Sequence, residues 1–177
     1  MSLAKKIFLF AAIGVLGAVL GYMMAGPIAA RSFTVLYSLD RKQNDRTIVD
    51  LIDGADKYVY FAIYEFTKEN IADALVRAKM RGLDVVGIMD AGQSQNAAQA
   101  HIVQKLEGAG IPVEFQRHEK GIMHIKMLVT DKAYALGSYN WTEAATMLND
   151  EVLEIGTAEP LREEYLDIAR KIFSDNR

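Results

Sequence analysis

"MHIKMLVTDKAYALGSYNWT", residues 123–142, sets a histidine, a lysine and an aspartate into a stretch that otherwise reads as buried strand. Side chains at i and i+2 of a strand share a face. Read as a strand, 123–130 therefore makes His124 and Lys126 neighbours. Ile125, Met127 and Val129 then form one apolar face, and His124, Lys126, Leu128 and Thr130 form the other. Ala133 to Leu136 returns as a second strand, giving a hairpin around Asp131 and Lys132. The small polar turn Gly137-Ser138-Tyr139-Asn140 follows, and Asn149 with Glu151 opens the next strand. Taken alone, a His-x-Lys pair reads better as an amphipathic strand with a solvated face. Asp131 and the other polar positions, expected to be gathered by the hairpin at one edge, turn the reading toward a site.

Outward from this hairpin, strand and helix patterns alternate from Phe33 onward. Phe33 to Tyr37 is a short apolar run, and Ile48, Leu51 and Ile52 recur at helical spacing behind Asp45 as N-cap. Tyr58 to Tyr64, rich in aromatic and branched residues, is a strand. Thr67 caps a helix striped by Ile71, Leu75 and Ala78 and ended by Gly82. Leu83 to Met89 is an apolar strand of the kind buried on both faces. Gln95 to Leu106 is a helix closed by Gly108 and Gly110, and Ile111 to Phe115 is a further strand. Glu151 to Ile155 is the last strand. Leu161, Tyr165, Ile168 and Ile172 mark a final helix opened by Pro160. Such alternation implies an α/β fold, a mixed β-sheet flanked by helices.

The chain has 177 residues, 51% of them hydrophobic, enough for one domain with a core that needs no cross-links. The absence of cysteine excludes disulfide scaffolds, thiolate zinc sites and a cysteine nucleophile, and leaves the compartment open. A net charge of −3 excludes a global basic field drawing the chain onto nucleic acid, so any polyanion site is local.

Residues 1–30 form a separate segment, a signal peptide or a membrane anchor, and 31–177 carry the fold. Lys5 and Lys6 precede an uncharged run from Ile7 through Ala30. A signal peptide's apolar region spans about 7 to 15 residues, whereas a spanning helix needs roughly 20. The stretch 7–26 fits the spanning length, as an N-terminal hydrophobic helix. Ala25, Ala29 and Ala30 keep cleavage open, and Gly17 with Gly21 is ordinary membrane-segment composition more readily than a packing motif. Arg31, Arg41, Lys42 and Arg46 follow the run, so the positive-inside rule gives no orientation. Either reading places the protein at or beyond a membrane.

His124-x-Lys126-x4-Asp131 followed by Gly137-Ser138-x-Asn140 resembles the HKD motif of the phospholipase D superfamily. The similarity extends to "FAIYEFT" (61–67), "AKMRGLDVVGIMD" (78–90), "GIPVE" (110–114) and "NDEVLEI" (149–155), most of the chain after residue 32. It is greatest toward the small single-motif bacterial endonucleases, with the mitochondrial cardiolipin hydrolase branch a nearer cousin than the large two-motif phospholipases. One departure stands in the hairpin, where the five residues between Asp131 and Gly137 are one fewer than the family commonly has.

The chemistry suits these residue types. A phosphodiester needs a nucleophile, a proton donor for the leaving oxygen, and donors for the phosphoryl oxygens. Neutral His124 can attack phosphorus and form a phosphohistidine. Lys126 supplies charge, and Ser138 and Asn140 supply directed hydrogen bonds, so these three also bind substrate. The resemblance implies that Glu151 holds the other imidazole nitrogen. Asp131 is a structural partner of the turn. No metal ligand set and no cofactor are expected, and His101 and His118 read as ordinary surface histidines.

Because one histidine cannot attack and protonate at once, the resemblance implies a homodimer in which two His124 residues converge on one composite site. The expected function is a phosphodiesterase acting on nucleic acid. The alternative is a phospholipase D or cardiolipin hydrolase acting on phospholipid, and under either function a membrane-anchored or exported protein of the bacterial cell envelope is expected. A non-catalytic membrane-tethered binding protein is disfavoured by the intact histidine, lysine, serine and asparagine set. Arg117, His118, Glu119 and Lys120 could touch a polyanion, and Tyr139 and Trp141 could stack on a base, although solvation and core packing are the simpler readings. Asp90 beside Gly92 reads as a turn residue, and Arg41, Lys42 and Arg46 suit phospholipid headgroups equally well.

Overall fold

The computed structural model describes residues 33–116 and 120–176. In chain order the strands are β1 (Phe33–Tyr37), β2 (Tyr58–Ile63), β3 (Asp84–Asp90), β4 (Val113–Gln116), β5 (Lys126–Thr130), β6 (Tyr134–Gly137) and β7 (Val152–Gly156). The helices are α1 (Ser38–Arg41), α2 (Asn44–Asp53), α3 (Glu69–Met80), α4 (Ala97–Gly108), α5 (Glu143–Met147) and α6 (Glu159–Asp175). The expectations for residues 1–30 lie outside the described residues.

All seven strands form one mixed sheet in the order β1-β7-β6-β5-β2-β3-β4. Strands β2, β3 and β4 run parallel, with helical crossovers, while β5 lies antiparallel to β2 with Ile63 opposite Lys126. The hairpin from β5 to β6 turns on Asp131 and Lys132, as the sequence predicts, closed by the Thr130 N–H donating to the Ala133 carbonyl at 2.8 Å. Strand β7 pairs antiparallel with both β6 and β1. These directions put the ends of β1, β2, β3 and β6 and the beginnings of β5 and β7 along one edge of the sheet. Segments remote in sequence meet there.

The two faces of the sheet are covered unequally. On one, Ile48 and Ile52 of α2, Ile71 and Leu75 of α3, and Ile102 and Leu106 of α4 pack on Phe61, Val85, Leu128 and Leu153. On the other, Leu166 and Ala169 of α6 cover Ala62, Ile88, Met127 and Val129. Each such large side chain removed from water stabilises the fold by about 1.5–3 kcal/mol.

Several local expectations are corrected. Strand β5 begins at Lys126, so His124 lies in the extended segment before it, and Leu128 and Thr130 are buried rather than on a solvated face. Asp45 does not cap α2; Gln43 holds that position, and Asp45 sits in the first turn, accepting from Lys68 and Asn70. Lys68, not Thr67, precedes α3. On α6 the buried stripe is Leu166 and Ala169 flanked by Tyr165, Ile172 and Phe173, leaving Leu161 and Ile168 exposed. The short helix α5, capped by the Thr142 side chain accepting from the Ala145 N–H, had no signal in the apolar pattern.

Gly137 ends β6 where the backbone of β7 approaches so closely that a Cβ would lie 2.0 Å from the Val152 carbonyl oxygen. Gly137→Ala must therefore push β6 and β7 apart. We expect a loss of roughly 2–3 kcal/mol, at the upper end of ordinary overpacking, measured by urea denaturation.

Candidate active site

His124 is exposed on a segment pinned at both ends. The Met123 N–H donates to Asp90 Oδ2 at 3.0 Å, and the Ile125 carbonyl accepts from the Tyr64 N–H at 2.9 Å. Asp90 Oδ1 meanwhile accepts from the N–H groups of Gly92 and Gln93, at 2.9 and 3.0 Å. The turn reading of Asp90 is thus correct and incomplete: one carboxylate ties the end of β3 to the segment that presents the histidine.

Lys126 opens β5 and is 5% exposed. Its Nζ donates to the His124 carbonyl at 2.8 Å and lies 4.9 Å above the centre of the Tyr64 ring. The same ring meets the His124 imidazole edge-on, centroids 4.8 Å apart. Burial pushes the Lys126 pKa down, and the charges of Glu151 and Glu65 oppose that shift without cancelling it.

Ser138 follows β6 at the same edge. Its hydroxyl donates to Glu151 Oε2 at 2.5 Å and accepts from the Val152 N–H at 3.1 Å. Glu151 also accepts from the Asn149 amide at 3.4 Å. Among the described residues these hydrogen bonds, and none to the imidazole, engage its carboxylate, so in this geometry Glu151 orients Ser138. Its backbone is fixed by the fully buried Ser38, whose Oγ accepts from the Glu151 N–H at 2.9 Å and donates to the Asn149 carbonyl. Asn140 is half-buried, and its Oδ1 is buried without a hydrogen-bond partner among the described residues. An unpaired buried acceptor costs about 1–3 kcal/mol, and Asn44 Nδ2, Asn70 Oδ1 and Arg162 Nε share that condition elsewhere in the fold.

His124, Lys126, Ser138, Asn140 and Glu151 therefore share one edge of the sheet, whereas Asp131 does not. It lies at the far end of β5, about 17 Å away by strand rise, where its Oδ1 accepts from the N–H groups of Asp56 and Lys57. Burial raises its pKa, and those N–H groups more than offset this, leaving it below the ordinary aspartate value. Asp131 fastens the hairpin turn to the loop before β2, a structural role.

Tyr139 and Trp141 are core residues. The Tyr139 hydroxyl shares a hydrogen bond with Thr146 Oγ1 at 2.6 Å, and Trp141 packs edge-on against Phe66. Stacking on a base is thereby excluded for both. His101 is an exposed residue of α4 beside Glu69, and Arg117, His118 and Glu119 lie outside the described residues. Sequence reasoning missed Tyr64 and Ser38. Each stands one residue past a strand end on the site's edge, a signal visible only once strand directions are known.

The family model described as "Cardiolipin synthase, PLD-like domain" matches residues 48–173, which contain Tyr64, His124, Lys126, Ser138, Asn140 and Glu151 but not Ser38. The chain belongs to the phospholipase D superfamily. A curated phospholipase D of Rickettsia conorii is 32% identical over 121 residues, covering 67% of this chain and 58% of that protein. The chain thus spans little more than half the length of that curated relative. Among solved structures, the phospholipase D family member Nuc of Salmonella typhimurium superposes with a TM-score of 0.76 at 28% identity, over 82% of this chain and 96% of that one. NucT of Helicobacter pylori gives 0.70 at 26%, over 80% and 96%.

In this phospholipase D-like site the Lys126 ammonium should titrate below the ordinary lysine value. Glu151→Gln should lower it further, because it removes a charge that holds the proton on. Nitrogen NMR of the labelled Lys126 side chain measures both shifts.

Proposed function

We propose that this chain is a phosphodiester hydrolase that works through a phosphohistidine, without a metal ion. The observation that carries the reading is the exposed His124 on a doubly pinned backbone beside the buried Lys126. A neutral imidazole nitrogen attacks phosphorus, an N–P bond forms, and the P–O bond to the leaving group breaks. Lys126 neutralises charge gathering on the phosphoryl oxygens, with Ser138 and Asn140 as hydrogen-bonding neighbours. Water then attacks phosphorus, and the N–P bond breaks to free the histidine.

The leaving oxygen needs a proton while His124 is occupied. A second copy supplies it in this reading: two chains meet so that their His124 residues flank one phosphate. Nucleic acid, cleaved without strong sequence preference, is the proposed substrate, supported by the likeness to the single-motif endonucleases of the superfamily. Phospholipid is the second reading, supported by the name of the Rickettsia relative and by exposed apolar side chains near the site. Ile122, 55% exposed, precedes His124, and Leu148, 74% exposed, precedes Glu151. In either case residues 7–26 would tether the enzyme to a membrane of the cell envelope unless they are cleaved.

Incubation with single-stranded DNA, RNA, phosphatidylcholine and cardiolipin in EDTA decides the substrate. Turnover should persist in the chelator. Loss that only an added divalent cation restores would sink the phosphohistidine reading. His124→Ala or His124→Asn should lower turnover by roughly a thousandfold or more without unfolding the chain, since the side chain is exposed and outside the core.

The assembly has its own test. Mixing His124→Ala with wild type under subunit exchange should give heterodimers far below half activity, with at most about one phosphohistidine trapped per wild-type dimer. A fully active monomer in sedimentation would show that one histidine suffices.

A further inference from the structure

We propose that Tyr64 is a positioning residue that sets the nucleophile and the cation of this site against one another through contacts with a single ring. Its ring contacts both groups, the His124 imidazole at 4.8 Å between centroids and the Lys126 ammonium at 4.9 Å from the ring centre.

Tyr64 is held at three points, two on its backbone and one at the ring's hydroxyl. Its backbone N–H donates to the Ile125 carbonyl at 2.9 Å, its carbonyl accepts from Gln99 Nε2 at 3.5 Å, and its hydroxyl accepts from Gln93 Nε2 at 2.8 Å. Gln93 hangs from Asp90 Oδ1, and Asp90 Oδ2 holds the Met123 N–H. The contacts close a loop: Asp90 to Gln93, to Tyr64, to His124 and through Met123 back to Asp90. A ring anchored in this way has little rotational freedom, so it limits where the imidazole can lie.

Lys126 explains why the anchor is aromatic. Three N–H bonds leave its ammonium, and one donates to the His124 carbonyl. The negative face of an aromatic ring receives a cation without acting as a strong hydrogen-bond acceptor. It steadies the ammonium while leaving donor capacity for a phosphoryl oxygen. A carboxylate in the same place would satisfy the cation and compete with substrate. The charged groups acting on Lys126 are Glu65 from the end of β2 and Glu151 from the start of β7, with His124 beside it from the preceding segment. Tyr64 adds a stabilising contact that needs no charge.

The inference rests on the phosphohistidine reading, and the experiment separates the two. The 177-residue chain is assayed on bis(p-nitrophenyl) phosphate, which carries neither base nor acyl chain, across pH. His124→Asn serves as reference: if it still turns over, the mechanism fails and the inference with it. With His124→Asn inactive, Tyr64→Leu should lower kcat roughly tenfold or more and move the alkaline limb of the pH profile downward, because the charged form of Lys126 loses a stabilising contact. Tyr64→Phe keeps the ring face under the ammonium but loses the bond to Gln93, so it should hold the alkaline limb near its wild-type position while recovering only part of kcat.

Phenylalanines carrying successive fluorines at position 64 keep the ring's shape while draining its negative face. Each fluorine should shift the alkaline limb further down, a readout that survives even if Tyr64→Leu does not fold. A flat fluorine series, or an alkaline limb displaced as far in Tyr64→Phe as in Tyr64→Leu, overturns the positioning role.

Discussion

The buried Lys126 side chain is the constraint around which this end of the molecule is arranged. Taking a charge out of water costs several kcal/mol unless neighbours compensate it. The compensation comes from the His124 carbonyl, the Tyr64 ring, and the longer-range charges of Glu65 and Glu151. Those groups arrive from three stretches of chain, the segment that leads into β5, the end of β2 and the start of β7. Opposing Ile63 to Lys126 brings Tyr64 into place, and pairing Gly137 with Leu153 brings Ser138 against Glu151. A shift of one residue in either register would turn the polar groups to the wrong face. The cation therefore needs the sheet to be right, and the apolar burial on both faces of β5 is what holds the sheet right.

Much of this could be read from the amino-acid order. The strands, the three helices on one face and the hairpin about Asp131 and Lys132 follow from periodicity and punctuation, because local chemistry and tertiary packing agree there. The mixed sheet followed from the alternation, and the grouping of His124, Lys126, Ser138, Asn140 and Glu151 followed from the hairpin.

What was not legible depended on distant partners. Leu128 and Thr130 looked like members of a solvated face only because nothing local shows that helices cover both sides of β5. Leu161 and Ile168 fit a helical stripe, yet α6 meets the sheet along a narrow line that leaves them outside. Asp45 had the chemistry of an N-cap, but Lys68 and Asn70, over twenty residues away, claim its carboxylate. Asp131, prominent in the motif, spends its hydrogen bonds on Asp56 and Lys57, which no short-range pattern connects to it.

The order in which the sheet is threaded also bears on how the protein is made. Strand β2 leaves the ribosome early, but its antiparallel neighbour β5 begins more than sixty residues later, and β7 is the last strand to appear. Closing such long loops is the slow part of folding, and here the cluster at the sheet edge is completed by the final closure. A nascent chain carries His124 well before it carries Glu151, and a product that stops short of β7 has the histidine without the frame that holds Ser138 in place. Because synthesis runs in one direction, the groups that orient Ser138 are the last of the cluster to be made.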